Sequence, residues 1–203
     1  MVWNWTSKEL ICKFNLSSKA ISYNMHKVDF SKSGSSLIFT ANDKSILYYI
    51  DLKAAIASPG QFQQIPQKQE VIHKIMLDNK GSGKQKICIN GFCLHPTENG
   101  LVSLGCSDGE IRNYSLDKEK WYTPMVDIIS KRAQIGILSI AYNNGGDLLV
   151  SSDTNGFINI WKGIDVETSQ NLLISKKITN DLIISQTWGS VDNKKLMKET
   201  LFI

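Results

Sequence analysis

One pattern of apolar and polar residues occurs three times along this chain of 203 residues. Each copy has an apolar strand, a polar turn, an apolar strand, a tight turn with Asp or Asn, and a strand that ends in an aromatic residue. The copies are Lys27–Asp51, Gly91–Ser115 and Ser139–Gly163. Internal repeats of this kind indicate an array of similar units, in which each unit buries its apolar face against the next.

The turns within the copies follow a common rule. Asp43, Asp108 and Asn155 each precede an isoleucine by three residues. The pairs Asp108-Gly109 and Asn155-Gly156 predict two-residue hairpin turns in which both residues have positive φ. We interpret Asp43, Asp108 and Asn155 as turn formers, because Asp and Asn side chains accept backbone hydrogen bonds in turns.

The aromatic residues that end the third strands set the period of the array. The anchors Trp5, Tyr49, Tyr114 and Trp161 are 44, 65 and 47 residues apart, and Trp188 occupies the place of Tyr142 in a further unit. A unit of about 40–45 residues is the blade period of WD-repeat propellers. The longest spacing predicts an insertion between Ala54 and Lys86. We expect these aromatic side chains to pack between blades.

The segments "CSDGEIRNYSLD" and "SSDTNGFINIWKG" resemble the S-x-D-G-x-I-x-x-W-D blade ending of WD-repeat proteins. The resemblance implies an all-β fold, a WD-repeat β-propeller with about four blades' worth of four-stranded antiparallel sheets. It departs from the family in lacking the Gly-His pair and in having tyrosine for tryptophan in two blades. The expected divisions are the end of a blade (1–16), a blade with an insertion to about 86 (20–75), two blades (87–130 and 135–178) and the start of a blade (181–203). Because the first and last divisions are incomplete, we expect part of a larger propeller.

The charged residues exclude one class of partner. Only Arg112 and Arg132 of the 23 basic residues are arginines, and the net charge is +4. Reading of base edges favours the planar guanidinium of arginine. We therefore expect no sequence-specific nucleic-acid binding. No apolar run is long enough to insert into a membrane, and the beginning of the chain does not resemble a secretory signal. The expected location is the cytoplasm.

The predicted insertion is the candidate protein-binding loop. It contains five lysines against few acidic residues, namely Lys68, Lys74, Lys80, Lys84 and Lys86. A lysine-rich loop on a rigid array can attract an acidic protein surface. The alternative is a solvated loop without a partner. The motif "KGSGKQK" lacks the first glycine and the final Ser or Thr of a phosphate-binding loop, so we expect no nucleotide cofactor there.

No residue pattern predicts catalysis, a metal or a cofactor. Cys88 and Cys93 are an odd number of residues apart, so their side chains would point to opposite faces of a strand. Together with His95 and Cys106, they do not show the closely spaced cysteine pairs of a structural zinc site. We interpret the cysteines as small buried side chains in a reducing compartment. We therefore expect a protein that is not an enzyme.

Taken together, the patterns predict a scaffold for protein–protein interaction. "VWNWTSKELICKF" and "KVDFSKSGSSLIFTANDKSILYYIDL" look like blades of cilia- and flagella-associated WD-repeat proteins. That resemblance implies a structural component of the axoneme with tubulin or axonemal proteins as partners. The alternative is a cytosolic WD-repeat adaptor in a signalling, ubiquitin-ligase or RNA-export complex.

Overall fold

The computed structural model describes residues 2–4, 6–12, 26–41, 44–52, 72–77, 86–122, 124–126, 135–162, 172–193 and 196–202. The chain divides into two units, Met1–Asp78 and Asn79–Ile203. Both consist of antiparallel β-strands. No helix in the described part of the chain combines the length and apolar character needed to cross a membrane.

The first unit contains a strand pair and one four-stranded sheet. The pair is β1 with β2, and sheet I has the order β3-β4-β5-β6, so that strands adjacent in sequence are adjacent in the sheet. The strands are β1 (Val2–Trp3), β2 (Leu10–Cys12), β3 (Lys27–Phe30), β4 (Ser36–Thr40), β5 (Ile46–Asp51) and β6 (Ile72–Met76). The fourth strand, β6, therefore lies inside the stretch that the sequence marks as an insertion.

The described part of the second unit contains a five-stranded sheet, a four-stranded sheet and a final strand pair. In sheet II the path is β10-β9-β8-β7, and β11 also pairs with β9; sheet III has the order β12-β13-β14-β15; β16 pairs with β17. The strands are β7 (Ile89–Leu94), β8 (Leu101–Cys106), β9 (Glu110–Ser115), β10 (Lys120–Trp121), β11 (Met125–Val126), β12 (Ile137–Tyr142), β13 (Leu148–Asp153), β14 (Phe157–Lys162), β15 (Leu172–Lys177), β16 (Thr187–Asn193) and β17 (Leu196–Phe202).

The second strand of each sheet is the most deeply buried. Every residue of β8 is buried, and so is every residue of β13 except its first. A strand that is covered on both faces carries a nearly continuous run of apolar residues instead of an alternating one. Leu101–Cys106 follows this pattern apart from Ser103, whereas Leu148–Asp153 is apolar only in its first half and then buries Ser151, Ser152 and Asp153. The residues of β13 are covered because sheet III packs against sheet II on one side and against the chain leading into β16 on the other.

The tight turns differ from the predicted type. Gly109 and Gly156 have φ of 83° and 77°, whereas Asp108 and Asn155 do not have positive φ. The Gly109 N–H donates to the Cys106 carbonyl and the Gly156 N–H to the Asp153 carbonyl, both at 3.2 Å. The prediction of positive φ at both residues is therefore wrong. A longer turn allows the Asp or Asn to keep an ordinary conformation, and only glycine takes the left-handed one.

Candidate protein-interaction surface

The residue that follows the first strand of each sheet holds the next turn. Ser31, His95 and Asn143 are all buried. The Ser31 hydroxyl accepts the Ser36 N–H at 2.9 Å, and the Asn143 side-chain oxygen accepts the Gly146 and Leu148 N–H groups at 3.0 Å. Three different side chains thus perform one task, since each accepts backbone N–H groups of the turn that follows it.

His95 also connects two sheets. Its Nδ1 accepts the backbone N–H groups of Thr97 at 3.3 Å and Glu98 at 3.0 Å, so the proton of the neutral ring lies on Nε2. Nε2 donates to the Gly146 carbonyl in sheet III at 3.1 Å. The ring also meets Tyr142 edge to face, with centroids 4.6 Å apart. Because both ring nitrogens are engaged in hydrogen bonds that hold a turn and join the two sheets, His95 has a structural role.

A second link between sheets II and III is a chain of three polar side chains. The Ser103 hydroxyl donates to the Asn113 side-chain oxygen at 2.6 Å and lies 2.7 Å from the Tyr142 hydroxyl. Because Ser103 has one proton to donate, Tyr142 is the donor in the second bond. Burial raises the pKa of Tyr142 well above its usual range. The phenol therefore remains a neutral donor between the sheets.

Trp161 lies in the apolar layer between the same two sheets. Its side chain is fully buried and packs with Ile111, Ile137, Ile140 and Leu149. Its indole N–H donates to the Ser151 hydroxyl at 2.8 Å on the neighbouring strand. The indole N–H is the one polar group of this side chain, and the bond gives it the partner that a buried tryptophan requires.

The other aromatic anchors have different surroundings. Tyr49 stacks on His73 of its own sheet at 4.3 Å, and Tyr114 meets Trp121 of its own sheet at 4.8 Å. Trp188 is half-buried, packs beside Val150 and Ile158, and donates to the Ala141 carbonyl at 3.3 Å. Trp5 lies outside the described residues. For Tyr49 and Tyr114, packing between blades stays a prediction.

The turn residues are likewise held in different ways. The Asp108 carboxylate accepts the Glu110 N–H at 3.3 Å and binds the Arg112 guanidinium through two bonds of 2.9 and 2.6 Å. Arg112 also pairs with Glu110 at 2.6 Å. Burial by itself lowers the pKa of Arg112, but the bond to Asp108, the neighbouring Cys106 and the charge of Asp108 together outweigh it, so the pKa is raised. The guanidinium therefore stays charged and ties the turn together.

Asp153 takes the corresponding role in sheet III. Its buried carboxylate accepts the N–H groups of Asn155 at 2.9 Å and Phe157 at 3.1 Å, while Asn155 itself is exposed. Sequence reasoning chose Asn155 and missed Asp153. The available signal was an Asp two residues before the Asn-Gly pair, the spacing of an Asx turn. Asp43 lies outside the described residues.

The five lysines of the candidate loop are described only in part. Lys74 is exposed on β6 and Lys86 is exposed before β7, and they belong to the two different units. Lys68, Lys80 and Lys84 lie outside the described residues. The binding role of this loop stays a prediction.

In the described part of the chain, the cysteines and histidines form no cluster of metal ligands. Within the residues that the structure describes, no group of three or more His, Cys, Asp or Glu could hold a metal ion. Burial raises the pKa of the Cys106 thiol to about 12, although the nearby Arg112 opposes the shift. A thiol that is buried and protonated is chemically inert.

The outer strand of sheet III contributes apolar surface. Leu173 and Ile174 on β15 are 56% and 53% exposed, and they are followed by exposed Lys176 and Lys177. Outer edge strands usually carry polar or charged residues that protect them. This strip is therefore a second candidate for contact with another molecule.

No protein-family model matches the chain, and no curated protein matches it. Among solved structures, it is similar to the β-propeller domain of Cps50 (Swd1) from Myceliophteria thermophila, with a TM-score of 0.62 and 15% identity over 91% of this chain and 50% of that one. It is also similar to a chain of the Mitotic Checkpoint Complex, with a TM-score of 0.60 and 14% identity over 92% of this chain and 46% of that one. The chain thus has the β-propeller fold, and it spans about half the length of these neighbours.

Proposed function

We propose that this chain is a non-enzymatic scaffold for protein–protein interaction. The observation that carries the proposal is the use of its buried polar groups. His95, Ser103, Tyr142 and Ser152 hold turns or link neighbouring β-elements. Such links favour a rigid support that presents its surface to other proteins, because hydrogen bonds between neighbouring elements hold them in one arrangement.

Within that class, we propose a structural WD-repeat component of the ciliary or axonemal microtubule cytoskeleton, with tubulin or an axonemal protein as its partner. The support is the likeness of the blades at the beginning of the chain and the five lysines of the candidate loop. A net charge of +4 favours an acidic partner. Attraction of this kind weakens as salt shortens the Debye length.

The test is cosedimentation of the chain with microtubules at low and high salt. In the test variant, Lys68, Lys74, Lys80, Lys84 and Lys86 are changed to glutamate. In the matched control, five exposed lysines elsewhere are changed to glutamate, namely Lys8, Lys32, Lys118, Lys120 and Lys162. We expect the test variant to lose most binding and the control to keep it. Unchanged binding by the test variant, or equal loss by both variants, would overturn the proposal.

The adaptor function is the second candidate, because one structural neighbour is a chain of a multiprotein complex, the Mitotic Checkpoint Complex. Fractionation of cells that carry the tagged chain separates the two. Recovery with axonemes supports the cytoskeletal function, and recovery with a soluble complex supports the adaptor.

A further inference from the structure

The outer edge of sheet III is open to another strand. β15 is the last strand of its sheet, and no other described residue pairs with its outer side. All of its residues after Leu172 are exposed. An edge of this kind presents unpaired N–H and C=O groups, which can pair with an extended segment of another chain.

The direction of the backbone groups can be read from one bond. The Ile178 N–H donates to the Gly156 carbonyl, at the turn that begins β14, at 3.0 Å. Because successive residues of a strand point their backbone groups to opposite sides, Ser175 and Lys177 present theirs outward. Leu173 is the extra residue at the register shift between the pairs Ile160–Ile174 and Trp161–Leu172.

The side chains of β15 favour one kind of partner strand. Leu173 and Ile174 are more than half exposed, and Lys176 and Lys177 follow after Ser175. An incoming strand therefore meets apolar side chains at one end and two positive charges at the other. A second copy of this chain also carries positive charge, whereas an acidic segment is attracted to it.

We propose that the outer edge of β15 binds an extended acidic and apolar segment of another protein, which adds to sheet III as a fifth strand. The backbone groups of Ser175 and Lys177 bond to the segment, Leu173 and Ile174 contact its apolar side chains, and Lys176 with Lys177 selects its acidic ones. This surface includes none of the five lysines of the candidate loop, and it does not depend on tubulin as a partner.

The experiment uses the full chain and a synthetic peptide with valines in one half and glutamates in the other. Binding is followed by fluorescence anisotropy, and hydrogen exchange shows which amides become protected. We expect protection at Ser175 and Lys177. We also expect weaker binding of a peptide with lysine in place of glutamate and none of a backbone N-methylated peptide. Absence of binding by the acidic peptide, or protection elsewhere only, would overturn the proposal.

Two pairs of variants identify the surface. Ser175→Pro removes one outward N–H and is expected to abolish binding, whereas Ser175→Ala keeps it. Lys176→Glu with Lys177→Glu is expected to weaken binding by about tenfold, because it replaces two attractive charges with repulsive ones. Lys118→Glu with Lys120→Glu, the matched control, leaves binding unchanged. If instead the free chain forms dimers that Ser175→Pro abolishes, the edge binds a second copy and the proposal is wrong.

Discussion

Sheet III makes similar contacts on its two sides, but different residues make them. Towards sheet II, Asn90 donates to the Ile137 carbonyl at 2.7 Å. Towards β16, Ser152 donates to the Ile183 carbonyl at 2.6 Å. Ile137 and Ile183 occupy corresponding places 46 residues apart, before or at the start of a first strand. The repeated feature is therefore a bonded backbone carbonyl.

The donor residue differs between the two sides because the residue opposite each isoleucine differs. Gly105 in sheet II corresponds to Ser152 in sheet III, since both lie three residues before the Asp or Asn of the turn. A Cβ at Gly105 would lie 2.6 Å from Ile137 Cγ2 and 3.2 Å from its Cβ. Sheet II leaves no room there for a serine, so Asn90 on the neighbouring strand β7 supplies the donor.

The largest expected effect comes from the anchors. Trp161→Ala is expected to lower the free energy of unfolding by about 3–5 kcal/mol, because it leaves a cavity between sheets II and III. Tyr114→Ala, at the corresponding place in sheet II, is expected to cost less because that ring is only half-buried. Urea denaturation measures both. Equal losses of unfolding free energy would contradict the expected difference between the buried and the half-buried ring.

The next largest effect is expected from the close contact at Gly105. Gly105→Ala is expected to cost about 1–3 kcal/mol through overpacking against Ile137. In a double-mutant cycle, Ile137→Ala removes the opposing methyl group, so the double variant is expected to lose less than the sum of the single ones. Additive losses would show that the two residues do not compete for space.

The two carbonyl links differ in their exposure to water. Ser152→Ala is expected to cost about 1–2 kcal/mol, because it leaves the Ile183 carbonyl without its buried donor. Asn90 is exposed, so water can replace its amide and Asn90→Ala is expected to cost less than about 1 kcal/mol. Chemical denaturation of the two variants, compared with the unchanged chain, checks the order. The reverse order would contradict this account of the interface.

The smallest effect at neutral pH is expected at Cys106, which occupies in sheet II the position that Asp153 occupies in sheet III. Burial raises the pKa of its thiol from 9.0 to about 12. Above pH 9 the unfolded chain releases this proton and the folded chain retains it, so the contribution to stability falls as the pH rises towards 12. Cys106→Val is expected to flatten that part of the stability profile. An unchanged slope would show that the thiol does not contribute to it.

Much of the strand pattern was predictable because it is local. The three copies coincide with β3–β5, β7–β9 and β12–β14, except that β7 and β12 begin two residues earlier than predicted. Apolar runs and Gly-containing turns are properties of neighbouring residues. The turn conformation was predicted wrongly because Asp-Gly and Asn-Gly also fit a longer turn, in which only the glycine has positive φ. The resemblance to blade endings did indicate the propeller fold.

The sequence by itself determined the repeat, the third-strand anchors and the glycines of the turns, because each depends on residues close together in the chain. Only the tertiary structure decided how sheet III is connected on its two sides. The bonds from Asn90 to Ile137, from Tyr142 to Ser103 and from Ser152 to Ile183 join residues far apart in sequence. Whether such side chains meet depends on how closely two sheets pack, and one absent Cβ at Gly105 is enough to change which residue supplies the bond.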